Sequence, residues 1–223
     1  MNLPNKITTS RFFITVAFVV VLLFEWQWAT TAACLLFLIG GLSDIADGEI
    51  ARRRNLKTDF GILMDPLADK IMVCAGFIVL VGMSASTHPY ISEQPNIPHV
   101  PRWLEVPGQD FLMPAWMVII IVARELAITG LRLLAASKNV VLPAETIGKR
   151  KTNLQMVSVI SVLVCVSYPH WGDWGQRLFS LEISGLPWSI WFTLLVTWGA
   201  VVLTGVSGVH YLWRNRDLYL KDM

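Results

Sequence analysis

The sequence has few charged residues, which argues against an ordinary soluble domain, and few cysteines, which argues against a disulfide-rich domain. Charged residues make up 15% of the 223 residues and hydrophobic residues 54%, whereas a soluble domain carries about a quarter charged residues. Many apolar side chains must therefore face lipid. The three cysteines, Cys34, Cys74 and Cys165, lie in apolar runs, which favours small core residues over a disulfide framework. The net charge of +2 gives no reason to expect nucleic acid.

Apolar runs separated by polar segments predict one all-α, polytopic membrane domain over residues 1–223, with six transmembrane helices. A membrane-spanning helix needs about 20 apolar residues. The predicted spans are 9–25, 29–51, 62–85, 112–136, 150–169 and 186–212. The first run is short enough to resemble the core of a signal peptide. We expect an uncleaved helix, because no clear small-residue cleavage site follows the run.

Basic residues are concentrated on one side of the predicted membrane. They lie before or at the start of the first span, follow the second and fourth spans, and end the chain: Lys6, Arg11, Arg52, Arg53, Arg54, Lys57, Lys138, Lys149, Arg150, Lys151, Arg214, Arg216 and Lys221. The other two loops, 86–111 and 170–185, contain only Arg102 and Arg177. By the positive-inside rule we expect a multi-pass protein of the inner cell membrane with both termini in the cytoplasm.

Four aspartates form the most informative pattern, and they lie near the cytoplasmic ends of the second and third spans. Asp44 and Asp47 are three residues apart and Asp65 and Asp69 are four apart, so each pair shares one helix face. Carboxylates gathered at a membrane boundary repel one another and require a positive counterpart. Oxygen ligands without histidine favour Mg²⁺ or Mn²⁺ over zinc. Two ions would suit a site that handles a pyrophosphate.

Small and basic residues accompany these aspartates. Gly48 lies one turn after Asp44, and Ala51 lies one turn after Asp47, so a ligand can approach the backbone on the carboxylate face. Arg52 can offer planar donors to a phosphate. Helix capping, or ion pairs with neighbouring basic residues, would explain one or two carboxylates. Four carboxylates at paired helical spacings favour a binding site.

The pattern Asp-x2-Asp-Gly-x2-Ala-Arg-x8-Gly-x3-Asp-x3-Asp, from Asp44 to Asp69, resembles the signature of the CDP-alcohol phosphatidyltransferase family. Four other segments resemble the bacterial phosphatidylglycerophosphate synthases within that family. These segments are 2–8, 64–70, 123–132 and 147–152. Together they cover most of the half of the chain that is predicted to be cytoplasmic.

The resemblance implies a role for each residue of the motif. In the family motif, the first three aspartates bind the metal ions, and the corresponding residues of this sequence are Asp44, Asp47 and Asp65. The fourth is a general base and a further candidate metal ligand, which here is Asp69. The residues that would line the CDP-diacylglycerol site are Asn5, Thr8, Gly48, Ala51 and Arg52.

The resemblance also implies the reaction. An alcohol attacks CDP-diacylglycerol directly, the phosphatidyl group is transferred and CMP leaves; the expected acceptor is glycerol 3-phosphate, and the family suggests a homodimer. The expected acceptor pocket consists of Arg124, Arg132, Lys149 and Lys151. Arg124 could instead form a structural pair with Glu125, and the lysines could simply be charges at the cytoplasmic surface.

Three other functions are compatible with parts of the pattern. The same family includes enzymes that use serine, inositol phosphate or phosphatidylglycerol as acceptor. A membrane prenyltransferase also uses metal-bound aspartates, but it predicts another motif spacing and more spans. A divalent-cation transporter would place its carboxylates near the middle of the bilayer, whereas these lie towards one edge.

Overall fold

The computed structural model describes residues 3–24, 26–54, 59–83, 113–138, 146–183 and 186–216; the side chains of residues 3–7, 44–66, 69, 137, 146–150 and 186 are outside this description. Most of these residues are helical. The helices are α1 (Leu3–Leu23), α2 (Ala29–Arg54), α3 (Asp59–Gly82), α4 (Ala115–Ser137), α5 (Thr146–Ser167), α6 (Gly172–Phe179) and α7 (Trp188–Arg214).

The predicted helical architecture is confirmed, and within the described residues six long helices correspond to the six predicted spans. The differences lie in the segment that was expected to be a plain loop. A 3₁₀ turn, Tyr168–Trp171, leads into the short helix α6. A two-stranded antiparallel hairpin follows, in which β1 (Glu182–Ile183) pairs with β2 (Leu186–Pro187). The proline-rich segment 86–111 lies outside the described residues.

Two stretches of the described chain are long and apolar enough to cross a membrane, Lys151–Phe179 and Trp188–Arg214. Three helices contain shorter apolar stretches, Thr8–Leu23, Ala29–Ser43 and Lys70–Gly82. The charged residues of α2 and α3 are confined to the end of α2 and the start of α3, and those of α1 lie in its first half. We call the side of the bundle where α2 ends and α3 begins the acidic end, because the motif aspartates belong to it.

Packing places the helices in a defined arrangement. α1 packs against α2 and α3, α5 packs against α2 and α7, and α4 packs against α3 and α7. The indole Nε1 of Trp171 donates to Thr31 Oγ1 at 2.9 Å, so the start of α2 meets the end of α5 opposite the acidic end. The shared core includes the buried side chains of Phe18, Phe37 and Phe77.

Polar side chains fix the register between α5 and α7. Gln155 Nε2 donates to Thr204 Oγ1 at 3.0 Å, and the hydroxyls of Ser158 and Thr197 are 2.8 Å apart. Interhelical hydrogen bonds of this kind stabilise helix pairs in apolar surroundings. They hold α5 and α7 antiparallel, so that the first residues of α5 and the last residues of α7 lie together at the acidic end.

Gly76→Val is expected to lower the thermal stability of the protein. A Cβ at Gly76 would lie 3.0 Å from Phe37 Cε2 and 3.1 Å from Val159 Cγ1, and the two methyl groups of valine would crowd this contact further. Overpacking of a tight core costs about 1–3 kcal/mol. Gly82→Val is the control, because a Cβ at Gly82 meets no heavy atom within 4 Å. Equal melting temperatures of the two variants in detergent would contradict the prediction.

Candidate active site

The register between α2 and α3 follows from two close contacts. A Cβ at Gly40 would lie 2.5 Å from Met72 Sδ, and a Cβ at Gly76 would lie 3.0 Å from Phe37 Cε2. Residue 40 of α2 therefore faces residue 72 of α3, and residue 37 faces residue 76. The absence of side chains at the two glycines lets the helices approach closely.

The motif aspartates occupy matching levels of this helix pair. α2 is helical as far as Arg54 and α3 is helical from Asp59. Continuing the antiparallel register by one to two turns brings Asp44 opposite Asp69 and Asp47 opposite Asp65. The side chains of the four aspartates lie outside the described residues, so their convergence on a metal ion stays a prediction. The helix positions support that prediction, and four carboxylates are a donor set that suits Mg²⁺ or Mn²⁺.

The other residues of the motif belong to the same end of the bundle. Gly48, Ala51 and Arg52 lie in the last two turns of α2, and Asn5 lies in the first turn of α1. Their side chains also fall outside the description. Among the side chains that are described, no group of three or more histidine, cysteine, aspartate or glutamate residues could hold a metal ion.

Helix α1 reaches the level of the aspartates. The rings of Phe18 and Phe37 lie 5.4 Å apart, and Ile14 Cγ2 would lie 3.5 Å from a Cβ at Gly40. The contacts define an antiparallel register between α1 and α2. Extending it towards the acidic end brings residue 11 to the level of residue 44, and residue 8 to the level of residue 47.

Thr8 and Arg11 are the two residues of α1 at that level, and both are buried. Thr8 is 1% exposed and Arg11 is 0% exposed. Arg11 was expected to belong to a basic flank in front of the membrane, and the structure places it inside the bundle instead. A buried guanidinium requires acidic or polar partners. Arg11 follows Thr8 by three residues, so the two share one helix face. This spacing is the feature of the sequence that could have indicated a shared site.

A buried ionic cluster joins α4 and α5 at the acidic end. The ammonium of Lys151 donates to Glu125 Oε1, and Arg124 Nη1 lies 3.3 Å from the same oxygen. The side chain of Lys151 is 2% exposed, so it is not a solvent-facing surface charge. Arg124 pairs with Glu125, which is the contact expected if Arg124 has a structural role instead of a ligand-binding one. Among the described side chains, the cluster contains two cations and one carboxylate and has a net positive charge.

The cluster is connected to the helix that carries Asp65 and Asp69. Lys70 Nζ donates to Thr129 Oγ1, and Thr129 Oγ1 donates to the backbone carbonyl of Glu125 at 2.7 Å. Lys70 directly follows Asp69 along α3. The ionic cluster is thus held beside the aspartate-bearing turn. Lys70 and Thr129 were not among the predicted site residues, since the link between α3 and α4 spans 59 positions of the sequence.

The register between α2 and α5 agrees with this placement. Met156 Cε would lie 3.4 Å from a Cβ at Gly41. Because α5 runs antiparallel to α2, Lys151 lies one to two turns closer to the acidic end, near the level of Asp47. Lys149 belongs to the same part of α5, and its side chain is outside the described residues.

Arg132 is the predicted acceptor residue that the structure places apart from the ionic cluster. It lies eight residues after Arg124 on α4, a rise of about 12 Å along a helix. Its Nε donates to Tyr211 Oη at 3.4 Å, and its guanidinium carbon lies 5.7 Å from the centre of the tyrosine ring. Arg132 is exposed, so it remains accessible to an anion that approaches from the acidic end.

Taken together, the fold and the site define a helical, membrane-associated protein with a charged site at one end of its bundle. The family model described as CDP-alcohol phosphatidyltransferase matches residues 1–206. The chain therefore belongs to the CDP-alcohol phosphatidyltransferase family, and the resemblance read from the motif is confirmed.

Individual relatives are similar over nearly their full lengths. A protein of Bacillus subtilis (strain 168) is 35% identical and covers 96% of this chain and 95% of its own. A protein of Rickettsia bellii (strain RML369-C) is 29% identical and covers 94% of this chain and 93% of its own. A protein of Pseudomonas fluorescens is 29% identical and covers 89% of this chain and 91% of its own. Each is named CDP-diacylglycerol–glycerol-3-phosphate 3-phosphatidyltransferase.

Proposed function

We propose that this protein transfers the phosphatidyl group of CDP-diacylglycerol to glycerol 3-phosphate, with phosphatidylglycerophosphate and CMP as products. The observation that carries the proposal is the buried cluster of Arg124, Glu125 and Lys151, which Lys70 and Thr129 hold beside the helix of the motif aspartates. A donor site for a nucleotide-linked lipid and a positive site for a phosphorylated acceptor then lie side by side. The shared name of the relatives agrees with this arrangement.

The CDP-diacylglycerol site would be formed by α1, α2 and α3. Asp44, Asp47, Asp65 and Asp69 would hold Mg²⁺ or Mn²⁺, with room for two ions. Bound metal would neutralise negative charge that builds on the pyrophosphate. The residues that would contact the cytidine diphosphate are Asn5, Thr8, Gly48, Ala51 and Arg52. The acyl chains would remain in the bilayer.

The chemical step needs a base and a leaving group. The carboxylate of Asp69 would accept the proton of the acceptor hydroxyl. The hydroxyl oxygen would form a bond to the phosphorus that carries diacylglycerol, while the bond between that phosphorus and the CMP oxygen breaks. CMP would leave with the electron pair. The transfer is direct, so no covalent intermediate on the protein is involved.

The acceptor phosphate would bind to Arg124, Arg132, Lys149 and Lys151. The cluster of Arg124, Glu125 and Lys151 has a net positive charge, which favours an anionic acceptor over serine. Because Lys151 points at Glu125 and is buried, Arg124 is the member of the cluster with the better access to a ligand. Its side chain is 13% exposed.

The proposed membrane arrangement has six crossing helices, with the acidic end and both termini in the cytoplasm. The long apolar helices α5 and α7 support it, as does the location of the basic segments. At this interface the site would meet a lipid donor from the bilayer and a water-soluble acceptor from the cytoplasm. A homodimer is proposed from the family resemblance alone.

The decisive experiment offers the purified protein CDP-diacylglycerol, Mg²⁺ and one alcohol at a time. The panel contains glycerol 3-phosphate, serine, inositol phosphate and phosphatidylglycerol, and both CMP and the lipid product are measured. We expect product with glycerol 3-phosphate. Turnover with another alcohol alone would overturn the proposed acceptor and keep the family chemistry. Absence of CMP release with all four alcohols would overturn the proposed reaction.

Arg124→Ala and Lys149→Ala are each expected to raise the KM for glycerol 3-phosphate. A hydrogen bond between charged groups contributes about 1.5–3 kcal/mol, which corresponds to an increase of about 10- to 100-fold in KM. The KM for CDP-diacylglycerol should change little. Arg177→Ala, on exposed α6 at the opposite end, is the matched control. Unchanged KM values in both variants would show that the acceptor pocket is elsewhere.

A further inference from the structure

Arg124 lies in a groove on the surface of α7 that exists because residue 208 is glycine. A Cβ at Gly208 would lie 2.6 Å from Arg124 Cγ and 3.5 Å from Arg124 Cβ. The aliphatic part of the arginine therefore occupies the space that any side chain at residue 208 would fill. This contact sets the path of the side chain across α7.

Two of the described groups contact the guanidinium at the end of that path. Nη1 lies 3.3 Å from Glu125 Oε1, and Nη2 lies 3.5 Å from Ser207 Oγ. We propose that Gly208 and Glu125 are positioning residues that fix the direction in which the Arg124 guanidinium meets the phosphate of the acceptor. The inference rests on the proposed function, because it concerns the acceptor of that reaction.

The backbone does not explain the glycine. Among the described glycines, only Gly172 has a positive φ, and Gly208 lies within the regular helix α7. Glycine inside a helix costs about 1 kcal/mol relative to alanine. The space that Gly208 leaves for the side chain of Arg124 explains why this position is glycine despite the cost in helix stability. Gly205, three residues earlier, is the natural comparison, because its Cβ would meet only Ile120 Cγ2 at 3.8 Å.

Glu125 can hold Arg124 without cancelling its charge, because Lys151 binds the same carboxylate oxygen. Arg124 and Lys151 together carry two positive charges against the one carboxylate of Glu125, so this group of three side chains attracts an anion. An arginine loses about 2 kcal/mol of rotamer entropy when it becomes fixed. Holding it before the acceptor arrives strengthens binding.

The test compares Gly208→Ala with Gly205→Ala in the purified full-length protein. Both changes add one methyl group to the same helix and improve its helix propensity equally. For Gly208→Ala we expect the KM for glycerol 3-phosphate to rise about 10-fold, the effect of about 1.4 kcal/mol. The kcat and the KM for CDP-diacylglycerol should stay within about twofold. Gly205→Ala should match the wild type.

The Arg124→Ala background distinguishes positioning from a general packing defect. Without the long side chain the new methyl group has room, so Gly208→Ala should have no additional effect on the KM there. Glu125→Gln tests the second positioning residue and should also raise the KM for glycerol 3-phosphate selectively. Thermal unfolding of each variant in detergent verifies that the protein is folded.

Two results would overturn the inference. The first is a Gly208→Ala variant whose KM for glycerol 3-phosphate equals that of Gly205→Ala. The second is an effect of Gly208→Ala that persists in full after Arg124→Ala. In both cases the wild type turns over glycerol 3-phosphate and the proposed function stands. A wild type that does not use glycerol 3-phosphate would overturn the proposed function, and this inference with it.

Discussion

Asp69→Asn is expected to lower the kcat for CMP release by about 10²- to 10⁴-fold, the usual contribution of a general base. Asparagine has nearly the shape of aspartate but cannot accept the proton of the acceptor hydroxyl. The expected loss is therefore in the chemical step. The KM for glycerol 3-phosphate should change much less, because the basic residues that bind its phosphate are intact. Initial rates of CMP release at saturating concentrations of both substrates measure the effect.

Asp173→Asn supplies the control for this substitution. Asp173 is an exposed residue of α6, at the end of the bundle opposite the aspartate motif, and the change in charge is identical. It should retain wild-type kcat. If Asp69→Asn kept a kcat within threefold of the wild type, Asp69 would not be the base. The remaining three aspartates would then need to be tested for that role.

Removal of divalent cations by a chelator is expected to reduce CMP release to the background rate. The four motif aspartates lie on adjacent turns of two neighbouring helices, so their carboxylates would carry a high negative charge, and a pyrophosphate would add more. Without metal the two would repel each other, so both substrate binding and the chemical step should fail. Readdition of Mg²⁺ or Mn²⁺ should restore the rate, and titration of the metal gives the concentration for half activity.

Substitution of a single proposed metal ligand links this metal requirement to the motif. Asp65→Asn should shift half-maximal activity to a higher Mg²⁺ concentration, because one negatively charged oxygen ligand is lost. Asp173→Asn should leave the titration unchanged. Full activity after thorough chelation would contradict the metal site. An unaltered titration in all three variants Asp44→Asn, Asp47→Asn and Asp65→Asn would place the metal elsewhere.

The aspartate positions could be predicted because helical periodicity is a local property. Spacings of three and four residues put Asp44 with Asp47, and Asp65 with Asp69, on shared faces wherever the helices lie in space. The long apolar runs predicted the long helices for the same local reason. The helix α6 was not predicted, because its eight residues, Gly172–Phe179, include two glycines and form a segment much shorter than a membrane span.

The ionic cluster could be predicted only in part. Arg124 and Glu125 are adjacent in sequence, and a pair between them was recognised as an alternative. The contribution of Lys151 comes from another helix, 26 residues away. Its alternative interpretation as a surface charge followed from its place beside other basic residues. Burial depends on which helices pack over a residue, and the spacing of residues along the sequence does not show which helices these are.

By itself, the sequence determined the membrane character, the long helices and the paired spacing of the aspartates, because these depend on composition and on the geometry of a single helix. The tertiary structure alone decided that Arg11 is buried, that Lys151 and Arg124 share Glu125, and that Gly208 makes room for Arg124. Those features arise where side chains of separate helices meet. Their energies depend on distance and burial in the folded bundle.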